Sequence, residues 1–159
     1  MPFGSLRPWG SKSPFGSLTG VSPPPANRPT CLREAIFYLL SHNNELTADR
    51  IHPNGLPQNP VYPAITTLWI GGWDGRNYAG RSHSSNRLRI ACWAQSPEDL
   101  TALSLAVKSA LTDYSGWVGL VHIADCWLVN EIDLQITPSG GKSTWLCQTI
   151  LDFQIISQE

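Results

Sequence analysis

The stretch Leu88-Arg89-Ile90-Ala91-Cys92-Trp93-Ala94-Gln95-Ser96-Pro97-Glu98-Asp99 decides how this chain folds. In its first half Leu88, Ile90 and Cys92 fall at alternate positions, a period of two that puts apolar side chains on one face and predicts a strand over 87–93. In its second half Ser96 can accept a hydrogen bond from a free helical N–H, Pro97 has its φ fixed for a first helical turn, and Glu98 and Asp99 sit where the helix dipole favours acids. A helix therefore starts at 97. Leu100, Leu103, Val107, Ala110, Leu111 and Tyr114 continue it along one face, and Gly116 is expected to close it.

Toward the C-terminus, two alternating segments, 122–137 and 144–157, read as strands joined by the turn Pro138-Ser139-Gly140-Gly141-Lys142-Ser143. Toward the N-terminus, 73–86 combines Gly75, Gly80, Arg76 and Arg81 with a Ser-rich end and reads as a long mobile hairpin loop. The β-branched and aromatic run Ala64 to Ile70 before it is a strand that Gly71-Gly72 is expected to end, and a short strand is expected around 50–52. Leu32, Ile36 and Leu39 keep a helical period over 31–41, with Thr30 placed to cap the first turn. The order helix, strands, helix, strands predicts an α+β fold: an antiparallel sheet with two helices packed on one face, preceded by an extended N-terminal arm.

That arm is residues 1–29, and the α+β domain is 30–159. The arm holds seven prolines, a density that neither a helix nor a central strand tolerates. Within it Pro2-Phe3-Gly4-Ser5-Leu6 recurs as Pro14-Phe15-Gly16-Ser17-Leu18. Composition alone is that of a disordered tail, but Phe3, Leu6, Trp9, Phe15 and Leu18 are more apolar anchors than a solvating linker needs, so the arm reads as a strap that gains order when a partner supplies pockets.

Composition bounds the function. The net charge is -1, which argues against a protein that works by neutralising many phosphates or by clinging to an anionic membrane; nucleic acid could be near it but not gripped by bulk charge. Charged residues make up 14% of the chain, against about 25% in ordinary domains. Permanent protein interfaces are depleted in charge and enriched in Trp, Tyr and Arg, and the chain holds seven Trp. A subunit that hides surface in an assembly has this composition; so does a tryptophan-rich core. No apolar run is long enough to span a bilayer, and the N-terminus lacks a signal-peptide centre, so no membrane partner is expected.

Several patterns imitate chemistry. Gly140-Gly141-Lys142-Ser143 resembles the end of a phosphate-binding loop, but that motif needs glycine at 136, where Ile136 stands, and a following helix, where a strand is predicted. His42, His52, His83 and His122 are scattered, and Cys31, Cys92, Cys126 and Cys147 form no Cys-x-x-Cys pair, so buried reduced thiols and no metal or cofactor are expected. Asp125, Glu131 and Asp133 fall at odd positions of one predicted strand and should share a face, as a solvent-facing or ring-facing surface rather than an acid/base pair. No catalytic residue is assigned, and the chain is not expected to be an enzyme.

Residues 31–158 resemble the tail-completion, or tail-terminator, family of tailed bacteriophages. The resemblance rests on the early amphipathic helix, on Val61-Tyr62-Pro63-Ala64-Ile65 leading into a strand, on Leu88 to Ala94 running into the helix Pro97 to Tyr114, and on a closing hairpin with Leu151-Asp152-Phe153-Gln154-Ile155. It implies a structural virion protein of the neck: a homo-oligomeric ring, hexameric in this reading, that caps the tail tube protein and meets a head-side connector or stopper protein. DNA would pass through the lumen without specific binding, and the protein would reside in the virion after assembly in the host cytoplasm. The residues nominated to reach tube, connector or neighbour are the arm anchors and, in the 73–86 loop, Trp73, Arg76, Tyr78 and Arg81. Alternatives are a head-side stopper, or a small module whose Trp73, Trp117 or Trp127 stacks on a sugar or peptide.

Overall fold

A computed structural model describes residues 28–44, 50–76, 82–136 and 145–158, with the side chains of Arg76 and Ser82 outside the description. Its elements are α1 (Leu32–His42), β1 (Ile51–Pro53), β2 (Ala64–Arg76), β3 (Ser82–Ala94), α2 (Pro97–Leu111), β4 (Gly116–Val118), β5 (Val121–Ile136) and β6 (Leu146–Gln158). They form one six-stranded sheet in the order β1-β2-β3-β6-β5-β4. Among the described residues no helix is long and apolar enough to cross a membrane.

The α+β class holds, but the sheet is mixed. β1 runs parallel to β2, pairing Ile51 with Ile65 and Pro53 with Thr67, while every other pairing is antiparallel. A parallel neighbour needs a return connection of about a dozen residues, and the proline-containing stretch 54–63 supplies it. Three residues carry no pattern from which their direction could be read, which is why the expectation of a wholly antiparallel sheet fails there.

The core lies between the helices and one face of the sheet. Ile65 of β2, Leu88, Ile90 and Cys92 of β3, Leu151, Phe153 and Ile155 of β6 and Ile123 and Cys126 of β5 are fully buried, and they form one cluster with Ile36 and Leu40 of α1 and Leu103, Val107 and Leu111 of α2. Leu88, Ile90 and Cys92 are the alternate positions read from the sequence, and both helices cover the same face.

α2 begins as expected: the Ser96 hydroxyl accepts a hydrogen bond from the Glu98 N–H at 3.3 Å and Pro97 occupies the first turn. It ends earlier than expected. Thr112 is extended, Asp113 takes φ 58, and the Asp113 N–H reaches the Cys126 carbonyl at 2.8 Å, so the backbone hydrogen bonds of the chain pass to the sheet before Gly116. Gly116 then opens β4, a strand the sequence reading lacks. Tyr114 lies beyond the helix yet still packs against the core.

Thr30 does not cap α1 in the expected way. Its N–H and hydroxyl both donate to the Glu34 carboxylate, at 2.7 and 2.9 Å, and these bonds hold the Glu34 carboxyl below the usual carboxylate range. Gly71 and Gly72 do not end β2 either. The register shifts between Trp69 and Gly71, and at Gly72 a Cβ would overlap the Asn86 amide, so the pair marks a bulge and a close strand approach. The segment expected as a loop over 73–86 is therefore largely strand on both sides.

The domain is fastened where the arm would enter it. The Leu120 N–H donates to the Pro29 carbonyl at 2.9 Å, and Gly119 turns beneath it with φ +63. A Cβ there would lie 2.8 Å from the Pro29 ring. Gly119→Ala is expected to destabilise the domain by about 1–3 kcal/mol, through left-handed strain plus that collision, as measured by chemical denaturation.

Candidate assembly interface

Two register shifts in β5, between Ile123 and Asp125 and between Leu128 and Asn130, decide which of its side chains face the helices. Paired residues of neighbouring strands share a face, so Glu131 opposite Leu151 and Asp133 opposite Thr149 lie on the helix side, whereas Asp125 opposite Ile156 lies on the other. The expectation that three carboxylates share one face is corrected: the bulge after Leu128 flips the later two. On the helix side Glu131 accepts from Lys108 Nζ at 2.8 Å and Asp133 from Thr149 Oγ1 at 2.7 Å, beside a cavity of about 480 Å3 between α2 and the sheet. Each of these two carboxylates thus has a hydrogen-bond partner within the fold.

Among the described residues no helix lies on the opposite face of the sheet. Following the pairings, Thr66, Leu68 and Trp73 of β2, Arg87, Arg89 and Trp93 of β3, Asp152 and Gln154 of β6 and Trp127, Ile132 and Leu134 of β5 stand there. Its centre is covered by its own side chains. Arg89 Nε and Nη2 grip Asp152 at 2.8 and 3.0 Å, leaving the carboxylate 2% exposed, and Trp93 Nε1 donates to Thr66 Oγ1 at 3.1 Å. The Arg89 hydrogen bonds hold the Asp152 carboxyl below its usual range against the opposing effect of burial.

The margins of that face are apolar and open. On it Leu68 and Trp73 of β2 and Trp127, Ile132 and Leu134 of β5 are exposed, and Ile70 and Val129 are exposed at the bulges between Trp69 and Gly71 and between Leu128 and Asn130. Trp73 is 71% exposed, and its ring lies over Gly75, where a Cβ would come within 2.5 Å. Trp117, on β4, is 70% exposed and tilts over the His122 ring at 4.9 Å between centroids.

These positions separate the two readings of the composition. Of the six tryptophans in the described residues, Trp73, Trp117, Trp127 and Trp145 are exposed, and neither Trp69 nor Trp93 is among the buried core residues. Trp69 packs against the core and Trp93 is half-buried, so four of the six stand at the surface, where contact with other macromolecules would use them.

Of the nominated interface residues, Trp73 is in place on the open face. Arg76 ends β2, with its side chain outside the described residues. Phe3, Leu6, Trp9, Phe15 and Leu18 of the arm, and Tyr78 and Arg81 of the hairpin, also lie outside the described residues, as does the turn holding Gly140 to Ser143. The sequence reading missed Leu68, Ile70, Val129, Ile132 and Leu134. Their apolar character was visible, but without the bulges their exposure was not.

Among the described residues no group of three or more His, Cys, Asp or Glu could hold a metal ion. Cys92 and Cys126 are buried, which pushes both thiols up to about 12 and makes them poor nucleophiles; Cys31, expected buried, is half-buried at the start of α1.

No protein-family model and no curated protein matches the sequence. The fold is similar to that of a chain in the solved virion of a native gene transfer agent particle, with a TM-score of 0.59 over 80% of this chain and 95% of that one, at 12% identity.

Proposed function

We propose that this chain is a structural virion protein of a phage-like particle and that it acts as a tail terminator. In this reading copies of it, six to a ring, close on the end of the tail tube, stop its growth and present a surface to the head-side connector or stopper. The observation that carries it is the fold likeness to a chain of a gene transfer agent virion, which takes in nearly all of that chain. The strand-to-helix order of the sequence and the apolar, tryptophan-bearing margins of the sheet support the same reading.

The role is architectural rather than catalytic: binding would come from exposed aromatic and aliphatic groups, with Trp73 and the neighbouring hairpin positions Arg76, Tyr78 and Arg81 reaching partners, and the arm strapping them. DNA would cross the lumen without specific grip, as a net charge of -1 implies. The protein would reside in the virion after assembly in the host cytoplasm.

A head-side stopper is the second reading, since the same fold likeness accommodates it. A sugar- or peptide-binding module is less well supported, because Trp73 and Trp127 stand on strands three positions apart in the sheet, roughly 14 Å at the usual spacing, and Trp117 lines a separate cavity with Tyr114 and Gly119.

Mass measurement in solution tests the proposal. The full chain is expected to form a closed ring of uniform mass, either alone or on addition of tail tubes. A chain that stays monomeric under both conditions contradicts it.

A further inference from the structure

Among the described residues both borders of the sheet are mostly unpaired. β4 pairs only with Val121 to Ile123 of β5. The next outward-pointing groups of β5 are satisfied locally: the Cys126 N–H donates to Asp125 Oδ1 at 2.9 Å, and its carbonyl accepts from Asp113. From Trp127 to Ile136, ten residues, β5 pairs with β6 alone among the described residues. At the other border β1 and Asn54 occupy β2 only as far as Thr67, so among the described residues the nine from Leu68 to Arg76 pair with β3 alone.

Unpaired strand borders are templates for another strand, and soluble proteins usually blunt them with lysine or proline. Neither open length contains lysine or proline, although each carries a bulge and two charged residues, Asp74 and Arg76 on β2 and Glu131 and Asp133 on β5. Each is instead flanked by exposed apolar side chains, Leu68, Ile70 and Trp73 on one and Trp127, Val129, Ile132 and Leu134 on the other. Their lengths match, at roughly 30 Å each for an extended chain.

Direction also fits. β2, β3, β6 and β5 alternate antiparallel across the sheet, so β5 runs opposite to β2. A second copy continuing the sheet in the same orientation brings its β2 antiparallel to the first copy's β5, and a displacement of about six residues along the strands, roughly 20 Å, sets the two open lengths side by side with β1 of the second copy clear of β5. We infer that copies of this chain join border to border, the 127–136 length of β5 on one pairing with the 68–76 length of β2 on the next. The occupant of each open border is thus a second copy of the chain. Because the two borders differ, the contact is heterologous and closes into a ring when the rotation allows. This deepens the ring proposed above by naming its interface, and it rests on that reading.

Two variants of the full chain test it. Leu68→Lys with Ile70→Lys blocks the β2 border, and Val129→Lys with Ile132→Lys blocks the β5 border, all at exposed positions, with circular dichroism as the check on folding. At a concentration where the unmodified chain is assembled, each variant alone is expected to be monomeric. Mixed in equal amounts they should form a dimer and grow no further, since one intact border of each kind remains. If a lysine pair unfolds the domain, Ile70→Thr and Ile132→Thr replace them, each expected to raise the concentration for half-assembly by about tenfold or more. Variants that assemble like the unmodified chain, or a mixture that stays monomeric, overturn border pairing while leaving the ring itself standing. An unmodified chain that never assembles, with or without tubes, removes both.

Discussion

Replacing Phe153 with alanine is expected to remove about 4 kcal/mol of stability, the largest effect of any single substitution considered, because a buried aromatic ring is lost and a cavity is left. Phe153 is fully buried at the middle of β6, opposite Leu88 of β3 on one side and Leu128 of β5 on the other. Strand positions on both sides are fixed by long antiparallel ladders, so the site has little freedom to collapse around the missing ring. Domains of this size are stable by only about 5–15 kcal/mol, and the melting temperature should fall by roughly 15 °C. Phe153→Leu, which keeps most of the volume, should cost about 1–2 kcal/mol. Thermal and denaturant unfolding of both variants checks this. A loss below about 1 kcal/mol for the alanine variant would mean that Phe153 does not sit at the centre of the core.

The second large effect concerns Arg89 and Asp152. Removing the guanidinium by Arg89→Ala leaves a carboxylate that is 2% exposed without its main partner. Breaking a fully buried pair costs about 3–5 kcal/mol, and the exposure of Arg89 reduces this to about 2 kcal/mol. The Arg89 side chain is itself 40% exposed. Asp152→Asn keeps the shape, removes the charge and returns Arg89 to solvent, so it should cost about 1 kcal/mol. The two differ in pH dependence. The folded carboxyl titrates below its ordinary value, so between the two values the unfolded chain binds more protons and stability rises with pH. The contribution is complete above the ordinary carboxylate pKa, about 3.9, and is lost as pH falls through the folded value. The stability gap between the unmodified chain and Asp152→Asn should therefore be flat above about pH 5 and shrink below about pH 4. A gap independent of pH down to pH 2 would contradict the ion pair.

Much of the fold could be read from local chemistry. Ser96-Pro97-Glu98-Asp99 marks a helix start by three separate effects, and the alternation Leu88, Ile90, Cys92 places its strand and its buried face without any tertiary information. What could not be read depends on contacts far apart in the chain. The end of α2 is set by a bond from Asp113 to Cys126, the strand β1 by its parallel neighbour, and the face of Glu131 and Asp133 by a bulge whose only trace in the sequence is an apolar residue out of phase, Val129. Gly71-Gly72 was misread for a related reason: glycine serves a bulge as well as a turn, and only the approach of Asn86 distinguishes them.

The candidate interface was legible to a lesser degree. Composition pointed to buried surface in an assembly, and Trp73 was named individually. The exposed residues that border β2 and β5 were read as ordinary strand positions, because a strand at the border of a sheet and one in its middle have the same alternation. Their significance depends on sheet order, with β6 and β3 inside and β5 and β2 outside, which no local pattern encodes.

The most direct test of the terminator reading is the length of tail tubes, measured by electron microscopy on particles assembled with and without this chain. With it, tubes should share one length, carry a ring at the head-proximal end and join heads. Without it they should vary in length, extend beyond the normal value and remain unjoined. Tubes of the same uniform length in both preparations would contradict the account.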